Sequence, residues 1–147
     1  MNIQTLKIDV DSLNAFLQRE FPQWTEEHGS RVIATTGDGV VVELPYSDSQ
    51  LRPGGTLSGP TMMGLADTAM YAAVLSRIGP VALAVTTNLN INFLRKAPPG
   101  PVTGHCRLLK LGSRLAVTDC DIKAGGSDDL IAQASATYSL PPKQHHG

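Results

Sequence analysis

The stretch Ser58–Ser76 has the sequence SGPTMMGLADTAMYAAVLS, in which apolar residues lie on nearly every side of a helix. A helix that is hydrophobic all round is a buried one. Pro60 suits the first helical position because it has no N–H to leave unsatisfied, and Gly79-Pro80 is a stop signal. We therefore predict a buried helix over residues 60–78, with its N-cap at Ser58 or Gly59.

One charged side chain lies in this apolar segment. Asp67 is the only acid or base between Arg52 and Arg77. Acids are almost never buried unless they are paired, and an unpaired one costs several kcal/mol or takes up a proton. Asp67 is therefore the leading candidate for a functional residue. The alternative is a structural acid bonded to backbone N–H groups.

The composition restricts the class of protein. The chain has 147 residues and a net charge of −1, which predicts one domain over residues 1–147 without the basic bias of a nucleic-acid-binding protein. The N-terminus lacks the apolar core of a signal peptide. The uncharged run Ile78–Leu94 carries five Thr and Asn residues, which argues against a membrane span. Cys106 and Cys120 are interpreted as apolar fillers in a reducing compartment, so we expect a cytoplasmic protein.

A short amphipathic helix is predicted at residues 11–21, with its N-cap at Asp11 or Ser12. The last residues of the chain, PPKQHHG, are expected to be disordered. The Trp and His residues of the connector and the tail are interpreted as packing or solvated residues rather than ligands; they are Trp24, His28, His145 and His146.

Alternating and β-branched runs predict six strands. The first two flank Gly37-Asp38-Gly39, where glycine is expected to supply the positive φ of a hairpin turn. In the run 81–94, the odd-numbered residues from Val81 to Phe93 are mostly apolar and are expected to form a buried face. The predicted strands are 31–36, 40–44, 81–94, 102–111, 114–122 and 131–140.

The order of these elements predicts an α+β fold. A curved antiparallel sheet around one apolar helix accounts for both the all-round hydrophobicity of the helix and the alternation in the strands. The core of this domain is expected to cover about residues 30–140.

At this point three segments match a known family. Gly59, the run Leu65–Ala69 and the run Asn88–Arg95 together resemble the hotdog-fold acyl-CoA thioesterases of the PaaI type. The resemblance implies a hotdog fold and hydrolysis of an acyl-CoA thioester, with no metal and no organic cofactor beyond the coenzyme A of the substrate.

The resemblance also implies roles for three residues. The carboxylate that acts as general base or nucleophile falls on Asp67, the N–H that binds the oxyanion falls on Gly59, and a hydroxyl that positions the attacking water falls on Thr86. The chain departs from the family at Ser58-Gly59-Pro60, where His-Gly-Gly is usual, and at Arg52, where Asn is usual. These departures concern water activation and substrate positioning.

The spacing of two of these residues predicts an oligomer. Gly59 and Asp67 are eight residues apart, which in a helix is about 12 Å. One thioester carbonyl cannot be within hydrogen-bond reach of both. If both act on it, they come from two chains whose helices meet across a two-fold axis. We therefore expect a homodimer with two interfacial sites, which the resemblance allows to pair into a homotetramer.

The remaining candidate residues are substrate contacts. Met63 and Tyr71 suggest an apolar pocket, with plain core packing as the alternative. Ser58 is expected to be a substrate contact at the helix start, and its cap role is the alternative. The basic residues could meet the phosphates of coenzyme A, or be solvated surface charges; they are Arg52, Arg95, Lys96, Lys110 and Arg114.

Two further functions stay open beside the thioesterase. A hotdog hydratase or dehydratase usually needs a His paired with an acid, and Asp67 has no His neighbour in its helix. A non-catalytic module that binds acyl-CoA or an acyl carrier is favoured by the departures at Ser58, Pro60 and Arg52.

Overall fold

The computed structural model describes residues 3–22, 25, 29–81 and 84–142, so Trp24, His28 and His145-His146 lie outside the described residues. A short 3₁₀ turn at Asp48–Gln50 precedes the central helix. The helices and strands, in chain order, are α1 (Val10–Glu20), β1 (Arg31–Thr35), β2 (Gly39–Leu44), α2 (Gly59–Ile78), β3 (Val85–Phe93), β4 (Val102–Leu111), β5 (Leu115–Ala124) and β6 (Leu130–Ser139).

The strands form one curved antiparallel sheet, and α2 packs across its concave face. The strand order is β1-β2-β4-β5-β6-β3, and every neighbouring pair is antiparallel. The core lies between this face and α2, and α1 covers one side of it. The predicted α+β architecture is therefore confirmed. Neither of the two helices has the length and apolarity that a membrane crossing requires, within the residues described.

Helix α2 has the predicted position and starts one residue earlier. Ser58 is the N-cap, and its Oγ accepts a hydrogen bond of 3.2 Å from the N–H of Thr61. Gly79 ends the helix with a φ of 96°, a backbone conformation that favours glycine. Nearly every residue from Met62 to Arg77 is half-buried or buried, as the apolar pattern predicts.

The predicted cap of α1 is wrong. The helix begins at Val10, and Asp9 is its N-cap because the Oδ1 of Asp9 accepts a hydrogen bond of 2.8 Å from the N–H of Ser12. This bond lowers the pKa of the Asp9 carboxyl. Leu13, Phe16 and Leu17 are buried as the amphipathic pattern requires.

Strand β3 differs from its prediction in both length and burial. It begins at Val85 and, among the described residues, is an edge strand that pairs only with β6. A bulge between Thr86 and Asn88 adds one residue and reverses the alternation that follows. Because of this reversal, Thr86 and the half-buried Leu89 and Ile91 all face α2. Two residues of the predicted buried face are exposed instead. Val85, at the start of β3, is 60% exposed, and Phe93, at its end, is 49% exposed.

The β1–β2 hairpin forms as predicted, but for a different reason. Neither Gly37 nor Gly39 has a positive φ, so turn conformation does not require glycine here. Gly39 lies instead against β4, where a Cβ would collide with the backbone carbonyl of Cys106. The close approach of two strands is what excludes a side chain.

We predict that Gly39→Ala destabilises the protein by about 3 kcal/mol, because the new methyl group pushes β2 away from β4. Gly37→Ala is the matched control, since nothing lies within 4 Å of a Cβ at that position. Its effect should stay within about 0.5 kcal/mol. Urea unfolding of both variants measures the difference in their free energies of unfolding. Equal midpoints would show that moving β2 away from β4 does not destabilise the protein.

Candidate active site

The carboxylate of Asp67 is half-buried and held by two hydroxyl groups from the sheet. Its Oδ1 accepts a hydrogen bond of 2.8 Å from the Tyr138 hydroxyl and one of 2.9 Å from the Oγ1 of Thr86. The Tyr138 hydroxyl also lies 2.9 Å from the backbone carbonyl oxygen of Asp67. Within the described residues Asp67 forms no salt bridge and no side-chain bond to a backbone N–H, so the structural-acid alternative lacks the partners it requires.

The register of β3 and β6 brings the two hydroxyls together. Thr86 and Tyr138 are directly opposite each other in this strand pair. Along β6 the residues that face α2 are alanines up to Tyr138, and their small side chains let the helix backbone approach the sheet. Sequence reasoning gave Tyr138 no role. The available signal was its hydroxyl, because a buried phenol needs a hydrogen-bond partner.

Burial controls the protonation of both tyrosines near the carboxylate. Burial first, and then the charge of Asp67, raises the pKa of Tyr138 far above its usual value. The Tyr138 hydroxyl therefore stays a proton donor at any working pH. Burial and the charge of Glu20 raise the pKa of Tyr71 to about 12.

A cavity of about 200 Å³ opens beside Asp67, and we call it the carboxylate cleft. One wall is aromatic, because the rings of Phe21 and Tyr71 meet edge to face with centroids 5.4 Å apart. Phe21 comes from the end of α1 and was not predicted to be near the site. The lining residues are Phe21, Asp67, Thr68, Tyr71, Ala84, Val85 and Thr86.

A second cavity of about 400 Å³ lies at the start of α2, and we call it the cationic cleft. Every charged residue in its lining is basic. The N–H of Gly59 makes no hydrogen bond within the described residues, and it lies at the end of the helix that carries about half a positive charge. The lining residues are Arg52, Thr56, Leu57, Gly59, Met62, Phe93, Leu94, Arg95, Lys96 and Ala97.

The predicted site residues thus fall into two groups in one chain. Asp67, Thr86 and Tyr71 line the carboxylate cleft, whereas Gly59 lines the cationic cleft together with three of the predicted basic residues. The two groups are eight residues apart along α2, or about 12 Å. A single chain therefore does not bring the N–H of Gly59 and the carboxylate to one carbonyl group.

Four predicted residues line neither of these clefts. The Ser58 hydroxyl is occupied by capping, with Thr61 Oγ1 at 2.7 Å. Met63 is 43% exposed, and its neighbour Met62 lines the cationic cleft instead. Lys110 and Arg114 lie at the exposed β4–β5 turn.

The histidine in β4 lies away from Asp67. His105 is on the exposed face of β4, where its Nε2 is 3.1 Å from the Oγ1 of Thr103. Partial burial and the charge of Lys123 lower its pKa. Among the residues that the structure describes, no three His, Cys, Asp or Glu side chains are grouped as a metal site requires.

Comparison with known proteins places these residues in a family. The family model described as "Thioesterase superfamily" matches residues 54–131, which include Gly59, Asp67 and Thr86. A protein of Pseudomonas aeruginosa named "Putative esterase" is 34% identical over 104 residues, which cover 69% of this chain and 75% of that protein.

Solved structures show the same architecture. A crystal structure of "a putative thioesterase" from Silicibacter sp. covers 96% of this chain and 97% of its own, with 40% identity and a TM-score of 0.86. The phenylacetic acid degradation protein PaaI of Thermus thermophilus has the same fold, with a TM-score of 0.70 at 24% identity over 80% of this chain and 97% of its own. The chain therefore belongs to the thioesterase superfamily and is a thioester hydrolase with the hotdog fold of the PaaI-type proteins.

Proposed function

We propose that the chain hydrolyses acyl-CoA thioesters to a free acid and coenzyme A in the cytoplasm. The observation that carries this proposal is the carboxylate of Asp67, which is held by hydroxyls at the wall of a partly apolar cleft and has no cationic partner within the described residues. Such a carboxylate can act on a thioester as general base or nucleophile. The two thiols Cys106 and Cys120 oppose each other across β4 and β5 as free cysteines, which fits a reducing compartment.

We further propose that the working unit is a homodimer joined through β3. In the part of the chain that the structure describes, one edge of this strand is unpaired, and exposed apolar residues lie at its ends, namely Val85, Phe93 and Leu94. An exposed edge strand is a surface on which another strand can pair. Pairing β3 with its own copy covers this edge, and the dimers can pair further into a tetramer.

The position of α2 along β3 supports this arrangement. Phe93, at the end of β3, lies close to Gly59. A Cβ added at Gly59 would be 3.4 Å from the Phe93 ring. Thr86, near the start of β3, bonds Asp67. An antiparallel pair of β3 strands places the start of one against the end of the other, about 4.8 Å away. Asp67 then faces Gly59 of the partner subunit. The two groups that act on one carbonyl no longer have to come from the same helix, where eight residues separate them by about 12 Å.

The chemistry follows from these two groups. The thioester carbonyl oxygen accepts a hydrogen bond from the N–H of Gly59 of the partner subunit. This bond stabilises the oxyanion by about 3 kcal/mol. As general base, Asp67 takes a proton from water while the water oxygen bonds to the carbonyl carbon. The C–S bond then breaks, and the coenzyme A thiolate leaves and takes up a proton. Thr86 holds the carboxylate, and the step uses no metal or organic cofactor.

The substrate spans both clefts in this proposal. The phosphates of coenzyme A bind Arg52, Arg95 and Lys96 in the cationic cleft, and the acyl group enters the carboxylate cleft of the other subunit beside Tyr71. Lys110 and Arg114 are further candidates for the phosphates, because the β4–β5 turn lies at the same end of the sheet as Val85. Ser58 and Met63, at and just after the start of α2, are the remaining proposed contacts.

We predict that the protein releases free thiol from acyl-CoAs and that Asp67→Asn lowers this rate about 10³-fold. A panel of short, medium, long and aryl acyl-CoAs should be used. The protein's own thiols should contribute little background, because Cys106 and Cys120 are buried. Asp121→Asn is the control, since Asp121 is half-buried on β5 away from both clefts. Unchanged release in Asp67→Asn would remove this residue from the mechanism, and saturable binding without release would favour the non-catalytic binding module.

We predict that Gly59→Pro lowers kcat about 10²-fold, because proline removes the N–H that binds the oxyanion. Ser58 already has the extended backbone, with φ −73° and ψ 152°, that a residue before proline needs. Gly59→Ala is the control, since it adds a Cβ beside Phe93 but keeps the N–H. A kcat for Gly59→Ala as low as that of Gly59→Pro would assign the loss to crowding.

A mixture of the two inactive variants tests whether the site is shared. After unfolding and refolding together, Gly59→Pro and Asp67→Asn should recover about a quarter of wild-type activity, because half of the dimers are mixed and each mixed dimer holds one intact site. If Gly59 and Asp67 act within one chain, the mixture stays inactive. Size measurement of each variant checks that the oligomer still forms.

We predict that Arg52→Gln, Arg95→Gln and Lys96→Gln each raise KM for acyl-CoA about fivefold, because each removes a charged donor to phosphate. The same variants should leave KM unchanged for an acyl thioester of N-acetylcysteamine, which has no phosphate. Lys110→Gln and Arg114→Gln, measured with the same two substrates, test whether the β4–β5 turn also binds the phosphates. Equal effects on both substrates would show that these residues act on the fold or the acyl group.

A further inference from the structure

The two hydrogen bonds to the Asp67 side chain are made to the same oxygen. Tyr138 and Thr86 both donate to Oδ1, whereas Oδ2 accepts no hydrogen bond from any residue that the structure describes. A carboxylate that acts as base or nucleophile needs one oxygen free to meet the substrate or the water. This asymmetry therefore distinguishes the oxygen that is held from the oxygen that is available.

We propose that Tyr138 is a positioning residue that, together with Thr86, holds Oδ1 of Asp67 and leaves Oδ2 as the oxygen that reacts. This inference rests on the proposed function of Asp67. It adds Tyr138, which lies on β6 directly opposite Thr86, to the residues that control the reaction.

Tyr138 is better placed than Thr86 to fix the carboxylate. Its side chain is 0% exposed, whereas Thr86 lies on the exposed edge strand. The Tyr138 hydroxyl also reaches the backbone carbonyl oxygen of Asp67 at 2.9 Å. The single O–H of the phenol is thereby shared between the backbone carbonyl and the side chain of one residue, and this restricts the rotation of the carboxylate.

The groups around this pair keep the phenol neutral. Burial, the charge of Asp67, the hydrogen bond to Asp67 and, more weakly, Cys106 on β4 all raise the pKa of Tyr138. Tyr71 on α2 contacts the Tyr138 ring with centroids 6.2 Å apart, and Glu20 on α1 acts on Tyr71. The Tyr138 hydroxyl is therefore a donor throughout the pH range in which a thioesterase can be assayed.

The test is Tyr138→Phe, which keeps the ring and removes only the hydroxyl. We expect kcat to fall about tenfold with KM nearly unchanged, since the lost bond is one to a charged group. The Asp67→Asn background should show no further loss from Tyr138→Phe, because the residue acts through the carboxylate.

The matched control is Thr118→Val, which removes a buried hydroxyl that donates to the β6 carbonyl of Ala136 at 3.1 Å and does not touch Asp67. It should lower the unfolding temperature about as much as Tyr138→Phe and leave kcat unchanged. No loss in Tyr138→Phe, or an equal loss in both backgrounds, would overturn the positioning role while the Asp67→Asn loss still stands. Full activity of Asp67→Asn would overturn the proposed function and the positioning role together.

Discussion

A carboxylate in an apolar helix is the constraint on which the rest of this structure depends. Left without partners, the charge of Asp67 would cost several kcal/mol, and the chain satisfies it with hydroxyls from β3 and β6. Tyr138 is 71 residues from Asp67 in sequence and Thr86 is 19 residues away, so β3 and β6 must pair and the helix must pack on them before the charge has both donors. The central packing contact of the fold and the candidate site are therefore formed by the same residues.

The bulge in β3 makes this possible. Thr86 and Leu89 have opposite parity in the sequence, so a regular strand would turn one of them away from the helix. The extra residue, Thr87, donates its hydroxyl to the carbonyl of Thr137 and shifts the alternation, so that a polar contact at Thr86 and apolar contacts at Leu89 and Ile91 lie on one face. Bulges often occur where a strand must aim a side chain into a site, and this one has that effect on Thr86.

The sequence was sufficient for the elements but not for their partners. All-round hydrophobicity and the cap signals located α2, and the lone charge identified Asp67, because these are local properties of the chain. The bulge, the close approach at Gly39 and the contact from Tyr138 depend on which strands become neighbours, and no local pattern contains that information. Phe21 was missed for the same reason, since its place beside Tyr71 depends on how the end of α1 packs against α2.

The division of the proposed site between two chains follows from the geometry of one helix. A helix offers its free N–H groups only at its start, and a carboxylate two turns further on is too far to share a carbonyl with them. In the proposed dimer, antiparallel pairing of two β3 edges meets both needs, because the operation that covers Phe93 would also bring Gly59 of the partner subunit toward Asp67. In that proposed dimer, assembly and catalysis depend on one interface, so any change that weakens the pairing of β3 would lower the number of complete sites in proportion to the dimers lost.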